Sequence, residues 1–318
     1  MMYSDRMNMI QIILMILSIL LILILTTGFV ISQLILYPKV RDEKAIYERE
    51  MKTKRYPEVF YKGLEKEELW IESEYGYRLS CYVLNNELTK KQENRNKIAV
   101  FCHGYKASKT ASIVYAKILM DLGYTAIIYD HRNHGNSDKK FTSMGYYEKY
   151  DLKTVIDWCY HCYGKEVQII THGESMGAAT VLSHLEIDHR VTAAIADCGY
   201  SDLGELLKHQ LRSYYHLPCQ PFLSIAKFFI NLRAGFKVCD VSPITGALQS
   251  KTPILFIHGD SDDYVPTQMS VDMYEQRVGV KELFLQKEAK HALACVVDYD
   301  RYYQVVHDFI NKVELSRN

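Results

Sequence analysis

Apolar positions follow three patterns along this chain. The first is unbroken: no charged residue occurs between Arg6 and Lys39, and Ile12 to Leu25 is almost wholly Ile, Leu and Met. At 1.5 Å rise per residue, about 20 residues cross a bilayer, so the run is long enough to span one with tilt. A cleaved signal peptide has an apolar core of about 7–15 residues followed by an A-x-A-like site. Here the run is longer, and Thr26-Thr-Gly-Phe-Val30 offers no such site, so residues 1–38 read as an uncleaved single-pass anchor. The second pattern is alternation. It occurs in Glu68–Glu74 and Arg78–Leu84 on either side of Tyr75-Gly76-Tyr77, and predicts a hairpin. The third is a set of short, solidly apolar runs: Lys97–His103, Thr125–Tyr129, the stretch from Val167, Val191–Asp197, Pro253–His258 and Lys281–Gln286. Helix-type stretches punctuate them at Ala111–Leu122, Tyr147–Tyr163, Met176–His184 and Asp298–Val313. Buried parallel strands look like this, and the alternation predicts an α/β fold with a mostly parallel eight-stranded sheet covered by helices on both faces.

Two regions break the rhythm. Residues 39–66 are highly charged, include Tyr56-Pro57, and read as a partly helical juxtamembrane connector. The folded domain then occupies 67–318. Within it, about 201–250 forms two helical stretches, Asp202–Tyr215 and Pro221–Leu232, joined by a proline-containing link. The second is strongly apolar, with Phe222, Leu223, Ile225, Phe228, Phe229 and Ile230.

Charge and cysteine content narrow the function classes. The 38 basic and 38 acidic side chains cancel, leaving no electrostatic footprint for nucleic acid. The basic residues cluster after the apolar run, at Lys39, Arg41, Lys44, Arg49, Lys52, Lys54 and Arg55, with only Arg6 before it. By the positive-inside rule that asymmetry leans toward a domain on the cytoplasmic side. Eight scattered cysteines demand no disulfide, which suits a reducing compartment. Cys159-x-x-Cys162 has metal-like spacing but lies in a helical stretch with no second half-site, so it reads as packed thiols and no metal is expected.

Chemistry concentrates just after the predicted strands, where open parallel sheets bind ligands. Gly173-Glu-Ser175-Met-Gly177 matches the G-x-S-x-G nucleophile elbow, between an apolar β-branched strand and a small-residue helix. In that context the serine hydroxyl stands above the sheet edge, and the Met176 amide opens a helix whose unpaired N–H groups and dipole favour an oxyanion. A serine at neutral pH needs a general base, itself oriented by a carboxylate. The strand Pro253–His258 runs into an acidic loop holding Asp260, Asp262 and Asp263, and Asp197 ends the strand before it. Among the strand-end histidines, His103, His131, His134, His172 and His258 read as packed or bracing groups. His291 alone occupies the final strand–helix loop.

Over residues 65–315 the chain resembles the α/β-hydrolase superfamily, and it is similar to membrane-anchored bacterial members with a helical lid. The segment His258-Gly-Asp-Ser-Asp262-Asp-Tyr-Val-Pro266 matches the family's H-G-x-x-D-x-x-V-P, which implies Asp262 as the acid. The late G-x-x-H-like loop implies His291 as the base, with Glu288 or Ala289 where the glycine usually stands. His103-Gly104-Tyr105 matches the oxyanion segment, implying the Tyr105 amide as partner to that of Met176. Asp130-x-Arg132-Asn133-x-Gly135-x-Ser137 resembles the family's D-x-R-G-x-G-x-S turn and reads as structural. The lid implies an apolar acyl or aryl pocket, with Tyr214, Tyr215, Phe222 and Phe228 as candidate walls. The expectation is therefore a serine hydrolase, first a carboxylesterase, acting on a small or lipid-like ester through an acyl-enzyme without cofactor. An acyltransferase, or a non-catalytic tethered scaffold, is the alternative on the same fold.

Overall fold

The computed structural model describes residues 2–53 and 55–316, so Lys54 of the basic flank lies outside the described residues. Helix α1 (Met2–Leu36) is followed by two connector helices, α2 (Glu43–Thr53) and α3 (Glu58–Gly63). The domain then runs β1 (Glu65–Glu72), β2 (Arg78–Asn85), β3 (Lys97–Cys102), α4 (Ile113–Asp121), β4 (Thr125–Tyr129), α5 (Glu148–Tyr163), β5 (Gln168–Glu174), α6 (Met176–His184) and β6 (Ala193–Asp197). After β6 come α7 (Leu203–Ser213), α8 (Phe222–Ala234) and α9 (Pro243–Gln249). The chain closes with β7 (Ile254–Gly259), α10 (Gln268–Gln276), β8 (Lys281–Gln286), α11 (Ala294–Val297) and α12 (Tyr299–Leu315).

The eight strands form one sheet in the order β1-β2-β4-β3-β5-β6-β7-β8. Only β2 runs antiparallel to its neighbours; every pair from β4 to β8 is parallel. A two-residue period divides each central strand between two cores. Val100, Ile127, Ile169 and Phe256 pack with α5 and α6 on one face, and Phe101, Ile128, Ile195 and Ile257 pack with α4 and α12 on the other. Both faces being buried explains why these strands are apolar throughout.

A third apolar cluster lies at the serine end of the sheet. Leu203, Leu206, Leu207 and Leu211 of α7 meet Leu223 and Ile230 of α8, together with Met176 and Leu36. Helix α1 thus belongs to two environments. From Asn8 to Leu23 its side chains are exposed, and the helix is long and apolar enough to cross a membrane. From Gly28 onward it lies along α8. A Cβ on Gly28 would sit 2.4 Å from Ile225, so only glycine lets the helices approach so closely. Phe29 stacks edge-on with Phe229, and Arg233 donates to Ser32 and lies over the Phe29 ring.

The connector packs into the domain, with Glu50 and Arg55 buried. The last part of 201–250 turns away from the serine, since α9 packs on α6, where a Cβ on Gly246 would meet the Leu182 carbonyl at 2.0 Å.

Candidate active site

Strand β5 delivers Ser175 on a sharp turn into α6. Its φ of 57° and ψ of −113° are strained for a side-chain-bearing residue, and such strain typically costs about 1–3 kcal/mol. The flanking glycines make the turn sterically feasible. A Cβ on Gly173 would lie 2.2 Å from the Gly177 carbonyl, and one on Gly177 would lie 1.9 Å from that of Cys102. The Ser175 amide donates to the Asp197 carbonyl at 2.8 Å, which pins the turn to β6.

The loop after β7 presents Asp262, and the turn after β8 presents His291. His291 Nδ1 lies 2.7 Å from Asp262 Oδ2, and His291 Nε2 lies 2.9 Å from Ser175 Oγ. With the carboxylate accepting at Nδ1, the other ring nitrogen is left to accept the serine hydroxyl. Asp262 is held from every side. Its Oδ1 accepts the amides of Tyr264 and Val265, each at 2.9 Å, and its Oδ2 also accepts from His258 Nε2 at 3.1 Å. Ser270 lies 2.7 Å from His258 Nδ1 and completes that brace. Burial alone would raise the Asp262 carboxyl, but hydrogen bonds from His258 and His291 outweigh it and hold the group well below the usual carboxylate range.

The two oxyanion candidates lie beside Ser175. Met176 is the first residue of α6, so its N–H has no carbonyl one turn earlier to bond. Tyr105 follows Gly104, whose hypothetical Cβ would lie 3.7 Å from that of Ser175. The Tyr105 hydroxyl donates to the Leu34 carbonyl, which ties this loop to α1.

A family model described as "Serine aminopeptidase, S33" matches residues 93–202. The protein YqkD of Bacillus subtilis, itself uncharacterized, is 34% identical over 297 residues, covering 92% of this chain and 95% of YqkD. Among solved structures, the esterase Pf2001 of Pyrococcus furiosus superimposes with a TM-score of 0.64 at 22% identity, covering 81% of this chain and 96% of that one. Est1E of Butyrivibrio proteoclasticus, solved with ferulic acid bound, gives 0.62 at 17% identity, covering 78% and 99%. The chain belongs to the α/β-hydrolase superfamily.

Beneath the serine, the hydrolase sheet edge carries a charged network that the sequence did not disclose. Glu174, between the elbow glycine and Ser175, accepts from Arg55 Nη2 at 3.3 Å and from the Tyr115 hydroxyl. Arg55 also pairs with Glu50 at 3.2 Å. Burial favours the neutral acid at Glu174, yet the Arg55 guanidinium and the Tyr115 hydroxyl hold its carboxyl below the ordinary range. Nearby Asp197 is fully buried and accepts from the Tyr302 hydroxyl at 3.0 Å. Burial, reinforced by the Glu174 charge, pushes its carboxyl up to about 7.

The remaining candidates fall into structural roles. Asp260 accepts the Glu288 amide at 2.7 Å, fixing the His291 loop, and Asp263 accepts from Tyr214 at 3.0 Å. Glu288 has φ +60°, so the residue replacing the family glycine adopts glycine's left-handed conformation. Asn133 does the same at φ +63°. Burial lowers His131 to about 3 and His134 to about 4, which keeps both neutral behind the oxyanion loop. Cys198, Asp262 and His291 form the one group with metal-like spacing among the described residues. Burial pushes the Cys198 thiol well up, and a protonated thiol is a poor ligand, so the set does not suit a metal.

A cavity of about 40 Å³ lies over Ser175, lined by Ile35, Tyr105, Leu206, Leu207 and Tyr264 among others. The four wall residues expected from the sequence fare unevenly. Tyr215 lines a larger neighbouring cavity. Tyr214 is turned to Asp263 and stacks on Tyr264, Phe222 is half-buried away from both cavities, and Phe228 faces outward at 60% exposure. Apolar character marked α8 as buried without saying which of its faces meets the serine. The actual walls come mainly from α1, the oxyanion loop and α7, where Leu203, Leu206, Leu207 and Leu211 already carry the helical repeat of a buried stripe.

Proposed function

We propose that this α/β-hydrolase is a membrane-anchored serine hydrolase that cleaves a carboxylic ester through an acyl-enzyme. One observation carries the reading: the unbroken hydrogen-bond chain from Ser175 Oγ through His291 to Asp262, at 2.9 and 2.7 Å. Ser175 Oγ attacks the ester carbonyl carbon as its proton passes to His291 Nε2. The amides of Tyr105 and Met176 receive the negative charge that develops on the carbonyl oxygen; losing one such donor typically costs about 10²–10³ in rate. Collapse breaks the bond to the leaving oxygen, which takes the proton from His291. Water, deprotonated by the same nitrogen, then releases the acid and returns the proton to Ser175. Asp262 stabilises the imidazolium and fixes the ring without itself taking the proton.

The Pf2001 and Est1E likenesses favour an ester over an amide, while the aminopeptidase model keeps amide cleavage as the second reading. An alcohol acceptor in place of water would turn the same acyl-enzyme to acyl transfer, and a tethered scaffold would need no turnover at all. The test is labelling of the detergent-solubilised full chain with a fluorophosphonate. Wild type is expected to label and Ser175→Ala to lose all labelling, with hydrolysis of a p-nitrophenyl ester falling by about 10⁶. Turnover undiminished in Ser175→Ala, or a wild type that takes neither probe nor ester, would sink the hydrolase reading.

A further inference from the structure

The hydrolase reading leaves the acyl group open, and the position of α1 bears on it. A second cavity, of about 330 Å³, adjoins the one over Ser175. Ile35, Tyr105, Leu207, Gln210 and Tyr264 line both, so the two lie side by side with these side chains at their junction. From Ser175 the larger cavity runs back along α1, past Leu34, Ile31 and Val30 to Thr27 and Thr26. Its opposite wall is apolar as well, with Leu211, Leu217 and Leu223 from α7, α8 and their link. Of the polar lining groups, Tyr105, Gln210 and Tyr264 fall in the part shared with Ser175, whereas Lys106, Tyr215, Thr26 and Thr27 line the larger cavity alone. Thr27 spends its hydroxyl within the helix, donating to the Leu23 carbonyl at 2.8 Å. Val30, Ile31 and Leu34 on one side and Leu211, Leu217 and Leu223 on the other leave the middle of the cavity aliphatic.

The far end of the cavity is set by the same helix that is built to enter a bilayer. About 20 apolar residues span the hydrocarbon core, and α1 supplies them in its exposed stretch from Asn8. Packing against α8 begins at Gly28. Thr26 and Thr27 thus mark both the end of the free span and the outer end of the cavity. On the α8 surface next to it, Phe228 and Leu232 stand 60% and 67% exposed, an apolar face that suits contact with lipid rather than water.

We propose that this space is the acyl-chain site for a bilayer-resident long-chain ester, with α1 forming one wall of the channel as well as the tether. The proposal rests on the serine-hydrolase reading and adds the substrate class to it. An acyl chain lying beside α1 slides between α1 and the α7–α8 segment and reaches Ser175 without crossing water. Hydrolysis then leaves a fatty acid and an alcohol. Ile35 and the Tyr105–Leu34 hydrogen bond join the wall directly to the oxyanion loop, so the helix that positions the chain also positions the donor.

The test uses the full chain in phosphatidylcholine vesicles, with p-nitrophenyl acetate and p-nitrophenyl palmitate as probes. Ile31→Trp fills the channel midway. It is expected to lower the palmitate-to-acetate ratio of kcat/KM by at least about tenfold. A ratio within about twofold of wild type overturns the channel. Because a bulky substitution can disturb packing, the wild type is tested independently with an alkyl fluorophosphonate carrying a diazirine at its chain end. Crosslinks from the Ser175-bound probe are expected on α1 between residues 26 and 35, or on Leu211 and Leu223. Crosslinks found only elsewhere on the protein overturn the channel while leaving the hydrolase intact. A wild type that takes neither acetate ester nor probe overturns the hydrolase reading itself.

Discussion

Below Ser175 the protein is wired with buried charge, whereas above it α1, α7 and α8 make a cover that is almost wholly apolar. The lower side fixes directions. Asp262 has four hydrogen-bond partners, and Glu174 is clamped by Arg55 and Tyr115. Each bond is expensive to leave unmade once buried, so the geometry around the serine has little freedom. The upper side fixes a volume. Leu207, Leu211 and Leu223 shape a cavity without pointing anything at a substrate. Directional groups define a reaction and apolar walls define a size class, which is why the chemistry here is sharper than the specificity.

The largest expected effect tests whether the lower side is truly directional. Asp262→Asn keeps the shape but removes the charge that selects the His291 tautomer. On the precedent of serine-triad enzymes it should cost about 10⁴ in kcat with KM little changed. Steady-state kinetics on a short-chain p-nitrophenyl ester checks it. A loss under about tenfold would mean that another acid, Asp260 or Asp263, takes over, and that the loop is less constrained than its hydrogen bonds imply.

The next test separates the connector from the anchor it follows. Arg55→Met leaves Glu174 buried without its cation and Glu50 with Arg49 alone, and removing one partner of a buried pair typically costs about 3–5 kcal/mol. Thermal unfolding of the solubilised chain should drop by about 10 °C. Arg55→Met combined with Glu174→Gln should recover part of the loss, because the stranded charge goes with it. A single variant as stable as wild type would show that the connector only rests on the domain.

These contrasts also explain what could be read from the chain beforehand. Ser175, Asp262 and His291 were nameable because each follows its own predicted strand, in the order the fold imposes. The parallel sheet then brings those strand ends to one edge. The central strands were nameable because burial on both faces makes them continuously apolar, and the first two because they alternate about a turn. Arg55 and Glu50 were not, since within a charged run a residue that pairs under the active site is indistinguishable from one facing water. Ile35 and Leu207 were hidden for the opposite reason. One reads as anchor and the other as core stripe, and only the folding of α1 against α8 makes them neighbours of the serine. Phe222 and Phe228 were chosen for apolar character, which does not reveal which way a helix faces.

The smallest expected effect concerns pH, and it isolates the lower side from everything else. Asp197 titrates near 7 in the fold, against about 4 for an unfolded aspartate. Between those values the folded chain holds a proton that the unfolded chain has lost. Raising the pH through this window therefore favours unfolding, by about 2 kcal/mol between pH 5 and 7. Asp197→Asn mimics the protonated acid and can still accept from Tyr302, so it should be insensitive to that step. The buried histidines act in the opposite direction below about pH 6.5, since unfolding lets them charge. They are common to both proteins and cancel in the difference. Denaturation of wild type and variant at pH 5, 6 and 7 should show the variant gaining relative stability as pH rises. Parallel curves would place the Asp197 carboxyl in its ordinary range, and would mean that neither its burial nor the charge of Glu174 disfavours the ionised form.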